Sequence, residues 1–425
     1  MTMSASRRAR LLDTLDTRRT DLAELCSNLV KIPSDNPPGD TSELATFMAG
    51  YLSERGVKVD AYEPQQGIVN LVAHAGEGSP HLILNGHLDQ FPGDVGEPWS
   101  VPPYSGRIAD GKIFGRGSGD MKGGLASLLF TFGVLAQEEG LPGRVTFTGT
   151  SDEETGGRWG ALWLLQNVEG VRGDAVLNGE PSGLTVRIGE KGRVPFKLRA
   201  PGKAAHGSFA GYVGENAIMK MVGVLPVVEE MRKMRAVLTP ETEVLTEEVM
   251  KGYVQQYGHE SREMSQVLRH VTVNIGVIRG GTKDNIVPAR CEAEVDMRIP
   301  LGIDPLELKG ELESRISGVD PSITVEWGRH PSTIIESTYT SSQSGIASAL
   351  WKNSKEITGT DPLLSFTSGG TDCRFWRKLG IPAVSYGPRV YGMGGVDEHI
   401  TVDDLITTAK VHMGTALDVL HSRKR

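Results

Sequence analysis

Five side chains in the first half of the chain have the types and placement that holding a divalent metal ion needs. Asp120 lies in the glycine-rich stretch GRGSGDMKGG, residues 115–124. His87 ends the run LILNGHLD, Glu153 and Glu154 close VTFTGTSDEE, and Glu180 closes AVLNGEP. The glycines let the backbone bend tightly, and the following apolar residues Leu125, Ala126, Leu128, Leu129 and Phe130 read as a buried helix. Asp120 is therefore expected near a helix start. Carboxylates gathered in one place repel one another, whereas a divalent cation would hold them together.

Each segment also has a plainer reading. A glycine-rich turn carrying an aspartate is commonly an ordinary turn or helix cap. A histidine at a strand end is often simply packed, and an acidic triplet such as Asp152-Glu153-Glu154 is usually a solvated loop. The 115–124 stretch is neither a phosphate loop nor a dinucleotide fingerprint, because no GK[ST] follows and position 120 is Asp where a third glycine is required. The set carries the inference. Val145 and Phe147 lead directly into the acidic triplet, and Gly156-Gly157 close it.

The elements that must position these groups follow from the rest of the chain. With 425 residues, 38% hydrophobic and 23% charged, the sequence fits a soluble globular protein of two domains. A net charge of -8 and a pI near 5.8 speak against coating a nucleic acid. Cys26, Cys291 and Cys373 are far apart, which suits a reducing compartment better than a disulfide framework. The N-terminus lacks an apolar leader and no apolar run reaches the ~20 residues of a membrane span, so a cytoplasmic protein without membrane or nucleic-acid partners is expected.

Apolar spacing predicts a helix over 8–31, stopped by IPSDNPPGD, and another over 42–55. Strand-like runs at 57–61, 69–74, 81–84, 145–148 and 174–177 alternate with helical stretches near 122–139 and 157–167, the mark of an α/β sheet. Ligands of such sheets collect beyond the carboxyl ends of the strands, where His87, Glu153, Glu154 and Glu180 all fall. After residue 193 the order becomes β-α-β-β-α-β, the ferredoxin-like split βαβ motif. Residues 194–330 are thus expected as an inserted α+β domain within a discontinuous catalytic domain, 1–193 and 331–425. The segment 234–270 exceeds a normal connection and contains the helical pattern VLTEEVMKGYVQQY. A helix over 340–353, the loop FTSGGTDCRF, the strand IPAVSYG and a closing helix from Val402 complete the chain.

In order along the chain, NGHLD, DGKIFGRGSGDMKGG, TSDEETGG, NGEP, GKAAHGS, NIVP, SGGTD and DEHI resemble the motifs of the M20 family of zinc-dependent aminoacylases and exopeptidases. That family includes acetylornithine deacetylase, succinyl-diaminopimelate desuccinylase and enzymes of the glutamate carboxypeptidase G type. The resemblance implies a zinc-exopeptidase-like mixed sheet flanked by helices, and an inserted domain that acts as lid and dimerisation element. It further implies two zinc ions, replaceable by cobalt or manganese, with Asp120 as the bridge. His87 and Glu180 would complete one position, and Glu154 with a late histidine the other. Asp89 would orient His87, and Glu153 would act as general base. His206 would be delivered by the partner in a homodimer to stabilise an oxyanion. Asn285, Arg298, Gly370 and Thr371 would hold the carboxylate of an N-acyl amino acid or dipeptide. From the residues alone, Arg298 reads equally well as a surface strand charge and Asn285 as a turn residue.

Two departures stand out. The family's last zinc histidine sits three residues before the acidic pair, where this chain has Gly394; His399, directly after Glu398, is the remaining histidine of the block and the expected replacement ligand. The stretch HGSFAGYVGENA also lacks a proline usual after the matching histidine, which bears on loop shape alone. The leading expectation is an N-acyl amino acid deacylase, the alternative a dipeptidase or carboxypeptidase of the same family. A binding protein with a degenerate metal site is the reading from another class, and Glu153 argues against it.

Overall fold

The computed structural model describes residues 5–93, 96–257, 266–328 and 334–422, and the chain divides into two compact units. The first comprises Met1–Gly189, Tyr339–Phe366 and Thr371–Arg425; the second comprises Glu190–Thr338 with Thr367–Gly370.

The first unit is built on an eight-stranded mixed sheet flanked by helices. The segment Ile68–His87 contributes to it twice. Its first half pairs with Pro142–Thr150 with opposed numbering, Leu71 facing Gly149 and Glu77 facing Pro142. Its second half runs with that strand, His81 facing Arg144 and His87 facing Thr150. Between the halves Gly76 and Gly78 have φ of 70° and 83°, the left-handed region that glycine enters freely, so the chain doubles back there. Ala175–Asn178 pairs parallel to Leu82–Asn85, and Ala383–Ser385 lies parallel beyond it. Three neighbouring parallel strands, 142–150, 81–87 and 175–178, thus end on the same edge.

One face of the sheet is covered by the helix Gly123–Ala136, apolar and buried through Leu135, and by Val402–Leu420. On the other face Val72, Ile83 and Val176 pack with Ala161, Leu164 and Trp376 from two short helices. Local chemistry sets the helix ends. The Thr401 hydroxyl accepts the Asp404 N–H at 3.0 Å, and Ser344 caps Gly345–Thr358, which stops at Gly359 with φ 72°. The helix expected over 8–31 is two helices, Ala5–Thr17 and Arg19–Lys31, because Arg18 leaves helical geometry with ψ 27°.

The second unit follows β-α-β-β-α-β: Gly192–Pro201, Ala217–Glu230, Thr272–Gly280, Arg290–Ile299, Pro305–Val319 and Thr324–Trp327. Its antiparallel sheet places the fourth strand beside the first, then the third and second. The alternation along Arg290–Ile299 sends Cys291, Ala293, Val295, Met297 and Ile299 into a core with Val224, Val228, Leu308 and Leu312. Within 234–270, a helix forms over Pro240–Tyr257, and 258–265 lies outside the described residues.

Candidate active site

His87, Asp120, Glu153, Glu154 and Glu180 converge in the first unit. His87, Glu153 and Glu180 offer ligand atoms within 4.8 Å of one another, and so do His87, Asp120 and Glu154. His87 Nε2 is 3.3 Å from Asp120 Oδ1 and 3.4 Å from Glu180 Oε1. The placement follows from the topology. His87, the 153–154 turn and Glu180 leave the carboxyl ends of the three adjacent parallel strands, and Asp120 arrives on the loop ahead of the helix Gly123–Ala136.

That loop is fixed by groups to which sequence reasoning assigned no role. Glu398 Oε1 accepts the Gly119 N–H at 3.0 Å and the Asp120 N–H at 3.4 Å, while Glu398 Oε2 pairs with Arg116 Nη1 at 2.6 Å. Arg116 and Glu398 are each 1% exposed, so the pair is fully desolvated. Burial still raises the Glu398 carboxyl pKa, opposed by the Gly119 N–H and Arg116. The signal was the acidic residue beside His399, whose partner cannot be named before the fold is known.

His399, the expected replacement for the missing ligand, is in neither of the two sets of ligand atoms that lie within 4.8 Å of one another, and its ring and hydrogen-bond contacts are with other groups. It begins the strand His399–Thr401, opposite Phe114, and its ring stacks on Tyr391 at 5.0 Å and lies 4.9 Å from Phe114. Its Nδ1 is bound to the Asp397 carbonyl at 2.8 Å. Successive side chains of an extended chain point to opposite sides, so with Glu398 turned toward Arg116 its neighbour is turned toward the aromatic rings. Gly394, at the family position, instead uses its carbonyl to accept from Arg116 Nη2 at 3.1 Å.

Asp89 differs in detail from its expected part. His87 Nδ1 is 2.8 Å from the Asp89 backbone carbonyl, and the carboxylate Oδ1 is farther, at 3.7 Å. The carboxylate organises the acidic turn: Oδ1 accepts the Glu153 N–H and Oδ2 the Glu154 N–H, both at 3.1 Å, and Asn36 Nδ2 donates to Oδ2 at 2.9 Å. Asn36 lies in IPSDNPPGD, a stretch that the sequence marks as a helix stop. Arg374, just after SGGTD, is the other unanticipated contact, with Nη1 3.2 Å from Glu153 Oε1.

The electrostatics reflect carboxyl groups crowded together out of water. Burial, then the Asp120 charge, pushes the Glu154 carboxyl up to about 11 and also raises Glu180. Burial lifts Glu153 well above the carboxylate range, against the opposing charge of Arg374. Burial alone would lower the His87 imidazole, yet Asp120 and Glu180 together hold it well above its ordinary value. Glu154 Oε1 is buried without a hydrogen-bond partner. A buried carboxylate oxygen aimed among other acids and an imidazole is the environment that a divalent cation satisfies, and the donor set of one imidazole and several carboxylates suits zinc or a neighbouring first-row metal.

Of the remaining expected residues, His206, Asn285, Arg298 and Gly370 belong to the second unit and Thr371 to the first. In the second unit, His206 is exposed and its Nδ1 accepts the Ser208 N–H at 3.2 Å, which leaves the proton of the neutral ring on Nε2. Asn285 adjoins it, its carbonyl accepting the Gly207 N–H at 2.7 Å. Arg298 bonds Asp296 at 2.7 Å and the Ser368 carbonyl at 2.8 Å, in the loop that also carries Gly370. Thr371 belongs to the first unit, is buried, and accepts from Arg374 through its carbonyl.

Residues 83–418 match the model of peptidase family M20/M25/M40. The chain belongs to this family. It is a hydrolase acting on amides or peptides. A curated relative, succinyl-diaminopimelate desuccinylase 1 of Alteromonas mediterranea, is 26% identical over 362 residues, covering 83% of this chain and 85% of the relative. Among solved structures, an M20 family metallo-carboxypeptidase from Sulfolobus solfataricus superposes with TM-score 0.77 at 23% identity, over 93% of this chain and 98% of the other. Human carnosine dipeptidase 1 gives 0.78 at 17% identity, over 98% and 99%. At these identities the two structures speak to the fold, a mixed α/β architecture common to M20 metallopeptidases.

Proposed function

We propose that this M20 enzyme hydrolyses the amide bond of N-acyl amino acids, with divalent metal ions, zinc foremost, held by the His87 cluster. The convergence of His87, Asp120, Glu154 and Glu180 carries this reading. His87, Asp120 and Glu180 would hold one ion; Asp120 and Glu154 would contribute to a second. When bound, the ions supply Lewis acidity toward the amide carbonyl and make a water molecule easier to deprotonate.

The chain's own groups do the rest. Glu153 takes a proton from the attacking water and later returns it to the departing amine nitrogen, a task for a carboxylate that touches the reacting atoms without being consumed as a ligand. Asp89 positions Glu153 and Glu154 through their backbone N–H groups. By family resemblance, Nε2–H of His206 from a second copy of the chain would stabilise the oxyanion, and Asn285, Arg298, Gly370 and Thr371 would receive the substrate carboxylate. The name of the Alteromonas relative supports N-succinyl or related acyl amino acids as the substrate class. The carnosine dipeptidase and carboxypeptidase folds support dipeptides as the second reading.

Purified, metal-supplemented protein, fractionated by size, should be assayed against N-acetyl and N-succinyl amino acids and dipeptides. Turnover of an acyl amino acid is expected in a dimer fraction; turnover confined to dipeptides favours the second reading, and an active monomer contradicts delivery of His206 in trans. Glu153→Gln in the same assay is expected to lose about 10²- to 10⁴-fold in kcat with metal content unchanged. Normal turnover in that variant removes Glu153 from its role.

A further inference from the structure

Glu153 and Glu154 are adjacent, chemically identical and anchored by the two oxygens of one carboxylate, Asp89. Their side chains nevertheless end differently. Glu154 Oε1 is buried with no hydrogen-bond partner, whereas Glu153 Oε1 meets Arg374 Nη1 at 3.2 Å. Arg374 is 3% exposed at its side chain and is itself held in place: Nη1 also donates to the Thr371 carbonyl, and the guanidinium lies 4.4 Å from the Phe375 ring centre. Next to it, Asp372 accepts the Thr150 hydroxyl at 2.7 Å, tying the start of the helix Cys373–Lys378 to the end of the strand Pro142–Thr150.

Distance gives the contact its significance. A Glu153 oxygen lies within 4.8 Å of ligand atoms of His87 and Glu180, close enough for Glu153 to compete for the same cation. We infer that Arg374 is the positioning residue that separates the two glutamates by role, gripping Glu153 so that it serves as the proton acceptor and leaving Glu154 to the metal. A guanidinium suits this because its planar fork fixes a carboxylate in orientation as well as in place. On this inference Arg374 acts through Glu153 rather than on the reacting atoms.

The inference rests on the proposed metal-assisted reading, and cobalt substitution separates the two. The cobalt-loaded holoenzyme, Arg374→Ala, and Arg374→Ala/Glu153→Gln are compared by visible absorption of the bound cobalt, by metal content and by kcat and KM. Arg374→Ala is expected to keep its metal, to change the cobalt spectrum as Glu153 enters the ligand set, and to lose about 10²-fold in kcat, with added guanidinium restoring part of it. The double variant is expected to regain a spectrum like that of the wild type, since glutamine competes poorly as a ligand. Arg374→Lys, which keeps the charge and disturbs the fold less, is expected to fall between wild type and Arg374→Ala in both spectrum and kcat. An unchanged spectrum and kcat in Arg374→Ala, or loss of metal without guanidinium rescue, overturns the role of Arg374. Failure of the wild type itself to bind cobalt would overturn the metal-assisted reading instead.

Discussion

At the scale of single residues, neighbours in sequence have been given opposite tasks by their surroundings. Glu398 is locked to Arg116 and to the amides ahead of Asp120, while His399 is stacked between Tyr391 and Phe114. The residue types at this site were legible in the sequence because, although each segment has a plainer reading alone, an imidazole and several carboxylates recur together at successive strand ends. Which way each side chain turns was not, since a shift of one position reverses the face and spacing does not report it. His412 gives a residue-scale test away from the metal cluster. Its Nε2–H reaches the Tyr386 carbonyl at 2.7 Å and its Nδ1 lies 2.7 Å from the Ser127 hydroxyl, so the neutral ring is the one that fits. Burial lowers its pKa from 6.5 to about 4. The unfolded chain therefore binds this proton first as pH falls. The resulting stabilisation, about 3 kcal/mol, is complete above pH 6.5 and lost between there and about 4. His412→Gln should lower the thermal midpoint at pH 7, and its gap to wild type should close by pH 4.5. A gap that stays constant with pH would show that His412 is not buried in its neutral form.

At the scale of elements, the site depends on how closely a helix meets the sheet edge. Gly124, in the first turn of Gly123–Ala136, packs against the backbone of Gly179, next to Glu180. A Cβ at 124 would lie 1.7 Å from the Gly179 carbonyl oxygen. Backbone cannot rotate away as a side chain can, so Gly124→Ala must displace either the helix that follows Asp120 or the segment that carries Glu180. A loss of about 1–3 kcal/mol or more in stability is expected, with weakened metal binding, measured by denaturant unfolding and metal titration. Wild-type values for both would mean that the helix start does not position the site. Alternation of strand and helix made this sheet readable beforehand. The two apolar runs 69–74 and 81–84 were visible, but neither the doubling back between them nor the insertion of 142–150 was, because strand order is decided by non-local pairing. The break at Arg18 escaped notice for the opposite reason: apolar spacing continues across it, and periodicity registers faces rather than single dihedral angles.

At the scale of the whole molecule, the chain interrupts an α/β unit with a second unit whose β-α-β-β-α-β order was plain from the change of pattern after residue 193. His206, Asn285 and Arg298 lie in that second unit, and every residue of the acidic cluster lies in the first. On the proposed reading, the first unit would supply the groups that hold a cation and move a proton, and the second would supply His206, Asn285 and Arg298 toward an oxyanion and a carboxylate. All of it presupposes that the buried acids around His87 are neutralised by metal. Anomalous diffraction from crystals grown with zinc, recorded on both sides of the zinc absorption edge, tests this most directly. The account predicts peaks bounded by His87, Asp120, Glu154 and Glu180, with Glu153 beside them and His399 outside. An anomalous map with no peak at this cluster, in protein shown to be active, would contradict it.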